Sequence, residues 1–251
     1  DRIIAIKEEQ LRKIKDVRKS KIDELVCFGY EANPEISKTG LSYLPKIKKG
    51  WSIDRFKDVA TLRDQKTDEK SELLDYLELE DIEQGTGNIL GKRDTLEVES
   101  KITLFYKGDV LFGKLRPYLE KYHYAEFDGK CTGEILAFRP NRINGKFLKY
   151  IVGSKWFIDL CNSMSYGAKM PRVNWNTQLA MVNLPIPSPE EQNMIVKQLD
   201  ELSEKVDLLK HKVINQISSL QSYRKSLIHE CVTGKKQVYT GDIKTKETAT
   251  A

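Results

Sequence analysis

Residues 185–232 read PIPSPEEQNMIVKQLDELSEKVDLLKHKVINQISSLQSYRKSLIHECV, and this stretch decides the architecture. Pro185-Ile186-Pro187 is a stiff extended lead-in. Ser188 then stands as an N-cap, with Pro189 at the first helical position, where a missing N–H costs nothing. Glu190 and Glu191 suit the positive end of the helix dipole. Beyond them, apolar residues recur at steps of four and three: Ile195, Leu199, Leu202, Val206, Leu209, Val213, Leu220 and Leu227, with Gln216 and Tyr223 filling the same register. Sustained over several heptads, this spacing predicts a coiled-coil seam rather than one face of a globular helix. At ~1.5 Å per residue, Ile195 to Leu227 extends on the order of 50 Å. Gly234 is the expected stop.

Such a seam needs a partner, because each large apolar side chain contributes roughly 1.5–3 kcal/mol only when buried. Residues 1–30 are the candidate. Their periodicity is weaker, carried by Ile3, Ile14, Val17 and Leu25 between charges, yet they repeat the end of the C-terminal helix. Arg18-Lys19-Ser20 matches Arg224-Lys225-Ser226; at the same offset Ile22 matches Ile228, Glu24 matches Glu230 and Val26 matches Val232. Glycine closes both segments, at Gly29 and Gly234. One helix enters a single domain and the other leaves it, so the two can pair antiparallel.

The expected organisation is an N-terminal helix over 1–30, a linker over 31–43 marked by Asn33-Pro34 and Lys38-Thr39-Gly40, a mixed domain over 44–188, a helix over 189–233 and a polar tail over 234–251. Within the domain, residues 52–62 read as a short amphipathic stretch, and Tyr76–Glu80 as a strand. Turns fall at 84–87 and at Gly91-Lys92. Asp128-Gly129 signals a hairpin joining a strand over 122–127 to one over 130–138. Residues 146–164 read as one helix.

Charge is uneven. Residues 41–100 carry 10 Lys/Arg against 14 Asp/Glu, a net −4, whereas residues 101–188 carry 13 against 6, a net +7. A basic half with interleaved aromatics is a candidate phosphate-facing surface. Two loops supply the groups. The strand Val110-Leu111-Phe112 runs into Gly113-Lys114-Leu115-Arg116-Pro117-Tyr118, and Lys121 follows. The other loop is Ser165-Tyr166-Gly167-Ala168-Lys169-Met170-Pro171-Arg172-Val173-Asn174-Trp175. Lysine, arginine and tyrosine can bond phosphate, arginine can fork onto guanine, and asparagine can pair with adenine. The candidate DNA-binding residues are Lys114, Arg116, Tyr118, Lys121, Tyr166, Lys169, Arg172 and Asn174. Structural readings stand beside these: Arg116 could pair with an acid such as Glu134, Arg172 and Asn174 could hold a turn, and Tyr166 and Trp175 could be core.

These stretches together resemble the specificity subunit of Type I restriction–modification systems. The resemblance rests on Leu44-Pro45 with Gly50-Trp51, on Gly108–Pro117, on Cys131-Thr132-Gly133-Glu134-Ile135, on Pro185–Gln192 opening the long helix, and on Lys225–Lys235 at its end, and it covers residues 1 to about 238. It implies an α+β fold in which a mixed α/β target-recognition domain is joined to two long antiparallel helices forming a coiled-coil spacer. It also implies double-stranded DNA as ligand, methyltransferase subunits docked on the helices, and restriction subunits as further partners. S-adenosylmethionine, and ATP and magnesium for restriction, would be held by those partners, with no cofactor in this chain. One recognition domain is present where the family carries two, so the chain resembles a half subunit that dimerises, or one half of a longer chain.

Catalysis is not expected. No methyltransferase glycine motif or Asn/Asp-Pro-Pro-aromatic motif is visible, and no phosphate-binding loop. The four cysteines (Cys27, Cys131, Cys161 and Cys231) are scattered and read as reduced thiols, with no metal site expected. No apolar run approaches the roughly 20 residues of a membrane span; the reduced thiols point to a cytoplasmic protein. The rival reading is a coiled-coil scaffold that binds no DNA.

Overall fold

The computed structural model describes residues 1–67, 74–91 and 102–237. Two compact units emerge. One is Lys19–Leu202; the other joins Asp1–Arg18 to the chain from Ser203 onward.

Two helices run through both units: α1 (Arg2–Phe28) and α5 (Pro189–Val232). Between them lie β1 (Ile36–Leu41), β2 (Leu44–Lys48), β3 (Ser52–Arg55), α2 (Phe56–Val59), β4 (Ala60–Leu62), β5 (Lys66–Thr67), β6 (Tyr76–Leu77), β7 (Ile102–Phe105), β8 (Val110–Gly113), β9 (Tyr122–Tyr124), β10 (Gly129–Thr132), β11 (Ile135–Pro140), α3 (Gly145–Val152), α4 (Lys155–Met164) and β12 (Asn183–Ile186). Among the described residues, β4-β11-β8-β9 form a four-stranded antiparallel sheet. A second four-stranded sheet orders β5-β7-β10-β6, with β6 parallel to β10. The first sheet packs α3 and α4 over Phe112, Phe138, Phe147 and Phe157, whereas Leu77, Phe105, Leu111 and Ile135 close a smaller core.

The motif that opens α5 works as an anchor. Ser188 Oγ accepts from Glu191 N at 3.3 Å, the predicted N-cap. The Glu191 carboxylate accepts from Trp51 Nε1 at 2.9 Å and Lys48 Nζ at 2.8 Å. That pairing, with Glu31 also on Lys48, raises the Lys48 pKa above its ordinary value. Buried Gln192 accepts from Asn144 N at 2.7 Å and donates to Pro187 O at 2.9 Å. About two turns on, Asp200 accepts from Lys146 Nζ and Tyr150 Oη.

Several expectations need correction. Residues 31–43 are not simply a linker: β1 pairs with β2. Residues 52–62 split into β3, α2 and β4. The strand over 76–80 stops at Leu77 and gives way to a 3-10 turn at Leu79–Asp81. The helix over 146–164 breaks at Gly153-Ser154, where Ser154 caps α4 and a Cβ on Gly153 would lie 2.4 Å from the Tyr122 ring. Asp128-Gly129 makes no hairpin, since β9 pairs with β8 while β10 pairs with β7. Gly129 is there for close approach instead: a Cβ would meet Phe105 at 2.5 Å. The strand over 130–138 is divided by a turn at Gly133-Glu134 into β10 and β11. Lys92, of the second predicted turn, and 238–251, of the predicted tail, lie outside the described residues.

The seam is corrected too. Ile195 and Leu199 are fully buried in the core of the Lys19–Leu202 unit, beside Ile22, Leu25 and Val26 of α1, and Leu202 packs against that core. In the other unit the helices pair antiparallel, with Arg18 against Ser203 and Asp207, and Asp1 on Arg224 at 2.8 Å. Val206 and Val213 are buried and Leu220 and Leu227 partly so, but Leu209 is 49% exposed and Tyr223 62%. The covered face takes Val206, Lys210, Val213, Ile217 and Leu220. Arg18 is buried at the start of this pairing, with Nη2 donating to Ser203 Oγ at 3.4 Å and Nη1 3.9 Å from Asp207 Oδ1, so polar residues occupy part of the covered face. Over residues 2–18 of α1, Ile4, Leu11 and Ile14 are the half-buried apolar residues, and Ile3 and Val17 are exposed.

Candidate nucleic-acid interface

The two basic loops, separate in sequence, are laced together by backbone hydrogen bonds. Arg116 N donates to Pro171 O at 2.7 Å, Val173 N to Lys114 O at 3.1 Å, and Lys114 N to Glu134 O at 2.9 Å. Tyr166 and Arg172 exchange backbone bonds in both directions. The result is one wall of a groove of about 530 Å³.

Four of the eight predicted residues line that groove: Lys114, Tyr166, Arg172 and Asn174. Tyr166 is 60% exposed, so it is not core. Arg172 forks onto the Glu134 carboxylate, Nε at 3.0 Å and Nη2 at 3.1 Å, which raises its pKa above the ordinary value. The pairing with Glu134 considered for Arg116 therefore belongs to Arg172. Asn174 Oδ1 accepts from Thr177 N at 3.0 Å and holds a turn; no partner of its Nδ2 is found among the described residues. Trp175 lines the groove yet packs on Phe56 and Phe138, a structural floor.

The other four stand off the groove. Arg116 adopts a left-handed backbone, φ 49° and ψ 66°, which costs roughly 1–2 kcal/mol for a residue with a Cβ. Its Nε is buried without a partner among the described residues. Strain of this kind, with an unsatisfied guanidinium, marks a site candidate. Tyr118 is half exposed on the 3-10 turn Pro117–Leu119, and Lys169 is exposed at the loop tip. Lys121 is committed to structure, its Nζ donating to Ile82 O.

Arg63, Lys66 and Asn176 also line the groove and were not anticipated. Arg63 and Lys66 sit in the acidic stretch of sequence, whose average charge hid them. Only the register of β4 and β5 against their neighbours brings them to the same opening. The groove thus presents cations and amides above an aromatic floor, with one of its acids, Glu134, neutralised by Arg172. No helix of the described residues is long and apolar enough to cross a membrane.

Comparison with known proteins gives a consistent result. Residues 48–219 match the family model of the Type I restriction modification DNA specificity domain. The specificity subunit of the Type I restriction enzyme EcoDI from Escherichia coli is 28% identical over 200 residues, covering 76% of this chain and 43% of that relative. The StySPI specificity subunit from Salmonella potsdam is 27% identical over 99 residues, covering 39% of this chain and 21% of its own length. The chain thus spans less than half the length of the curated relatives it matches. Among solved structures, a chain from work on complex assembly and conformational transition of the type I R-M system superposes with a TM-score of 0.65 at 14% identity, over 91% of this chain and 54% of its own. The HsdS subunit from Thermoanaerobacter tengcongensis superposes with a TM-score of 0.55 at 15% identity, over 91% and 53%. At these identities the superpositions speak to fold alone.

Proposed function

This chain belongs to the Type I restriction modification DNA specificity domain family, and from that premise we propose that it reads one part of a double-stranded DNA target and does no chemistry itself. The observation that carries the reading is the groove in which Lys114, Tyr166, Arg172 and Asn174 meet Arg63, Lys66 and Asn176. Cations there can hold phosphates, while the asparagine amides and the forked arginine suit base edges. Arg172 arrives already oriented by Glu134, so little side-chain entropy is lost when it meets a base. Methyl transfer and cleavage would belong to partner subunits, which would hold S-adenosylmethionine, ATP and magnesium.

The reading extends to assembly. Arg224–Val232 repeats the residues with which α1 enters its own core, yet Ile228 is 52% exposed and Val232 81%. A second recognition domain, from a second copy of this chain or from the other half of a longer one, would cover that end and complete a two-part target.

The test is selection of duplexes from a randomised library by the purified chain, followed by titration of the enriched duplex and its shuffled counterpart. Lys114→Ala is expected to lower affinity, and loss of a base contact would remove roughly 1–3 kcal/mol of discrimination at one position. Wild-type affinity and preference in Lys114→Ala would remove it from the interface.

A further inference from the structure

A second cleft, of about 460 Å³, is lined by Arg63, Gln65, Tyr106, Lys107, Tyr124 and Arg139, among others. Arg63 lines both clefts, so the two openings meet at its side chain. Its guanidinium is held rigidly. Nε and Nη2 donate to the two carboxylate oxygens of Asp109 at 2.9 and 3.1 Å, and the Tyr106 ring lies 4.7 Å away. Asp109 is buried and also accepts from Tyr106 N at 2.9 Å. The acid in this cleft is therefore spent on Arg63 and on a backbone N–H. The Arg63 side chain still keeps 21% of its surface exposed. Lys107 and Arg139 are exposed, and no ion pair or hydrogen bond of either side chain is found among the described residues.

Resting on the DNA-reading assignment, we infer that this second cleft is a phosphate track: Arg63, Lys107 and Arg139 grip the duplex backbone beside the bases read in the first groove. The two clefts differ in chemistry. The first offers asparagine amides with open donors and an oriented arginine. The second is dominated by cations, Arg63, Lys107 and Arg139, with one amide among its described lining residues, Gln65, whose Oε1 accepts from Tyr106 Oη. A cluster of cations suits phosphate, and phosphate contacts carry no sequence information. Arg63, buttressed on Asp109 and placed at the junction, fixes where the backbone leaves the reading groove.

The test is a salt series of duplex binding by the full chain, read by fluorescence anisotropy. The probes are the library-enriched duplex and its shuffled counterpart. Arg63→Ala would strand the buried Asp109 carboxylate, so the exposed pair carries the test. In Lys107→Ala/Arg139→Ala, the slope of log K against log salt is expected to fall by about 2, near 0.9 for each phosphate contact. Affinity for both duplexes should drop by one factor, leaving their ratio intact. An unchanged slope in the double variant, with the wild type still preferring the enriched duplex, overturns the track and leaves the reading standing. A changed ratio with an unchanged slope also overturns it, because the residues would then be reading bases. A wild type that binds both duplexes alike overturns the reading instead, and the slope still judges the track.

Discussion

Arg18-Lys19-Ser20 leads α1 into its last turns, and Arg224-Lys225-Ser226 does the same for α5. The backbone ends alike, with Gly29 at φ +75° and Gly234 at φ +72°. The surroundings are opposite. Ile22 and Val26 of α1 are buried, while their counterparts Ile228 and Val232 are open to solvent. A Cβ on Gly29 would lie 2.8 Å from the Glu191 carboxylate, and one on Gly234 would meet nothing within 4 Å. The repeat therefore places one helix end in a packed core and leaves its counterpart, among the described residues, open to solvent.

A charge placed at each matched position separates the two helix ends. Val26→Asp buries an unpaired carboxylate and should cost on the order of 4 kcal/mol. Val232→Asp should stay within about 0.5 kcal/mol for the chain alone. Urea unfolding of both variants decides it, and equal losses would contradict the asymmetry. At high protein concentration Val232→Asp should also weaken self-association.

A smaller effect separates the two faces of α5. Val206 is buried whereas Leu209, one step on in the heptad, is half exposed. Val206→Asp should destabilise the helix pair by about 2 kcal/mol, and Leu209→Asp by a few tenths. Circular dichroism during thermal unfolding reads both, and the reverse order would restore the seam expected from spacing alone.

The smallest effect concerns the anchored start of α5. Burial raises the Asp200 pKa, but hydrogen bonds from Lys146 and Tyr150 outweigh it and leave the carboxyl below its ordinary value. A lowered folded pKa means stability that is present above the ordinary carboxylate range and is lost as pH falls through the folded value. Asp200→Asn should flatten the acid limb of the stability profile, measured as unfolding midpoint between roughly pH 2 and 5. An unchanged acid limb would remove this anchor from the account.

The long helix was legible because its determinants are local: Ser188, Pro189, the acidic first turn and a heptad. Which face it buries was not, because part of that face is polar: Lys210 is half buried there and Ser203 receives the buried Arg18, positions that an apolar heptad does not mark. The two basic loops were legible by composition. Their union into one groove wall was not, since it depends on backbone bonds from Arg116 to Pro171 and from Val173 to Lys114 across more than fifty residues of sequence. Arg63 was hidden for the same reason, its place set by β4 pairing with β11.

The central claim is that this groove reads DNA sequence, and selection from a randomised duplex library by the purified chain tests it most directly. Enrichment of a short defined motif is expected, with the preference reduced in Lys114→Ala. Recovery of duplexes with no preferred sequence, by a chain that binds them all alike, would contradict it.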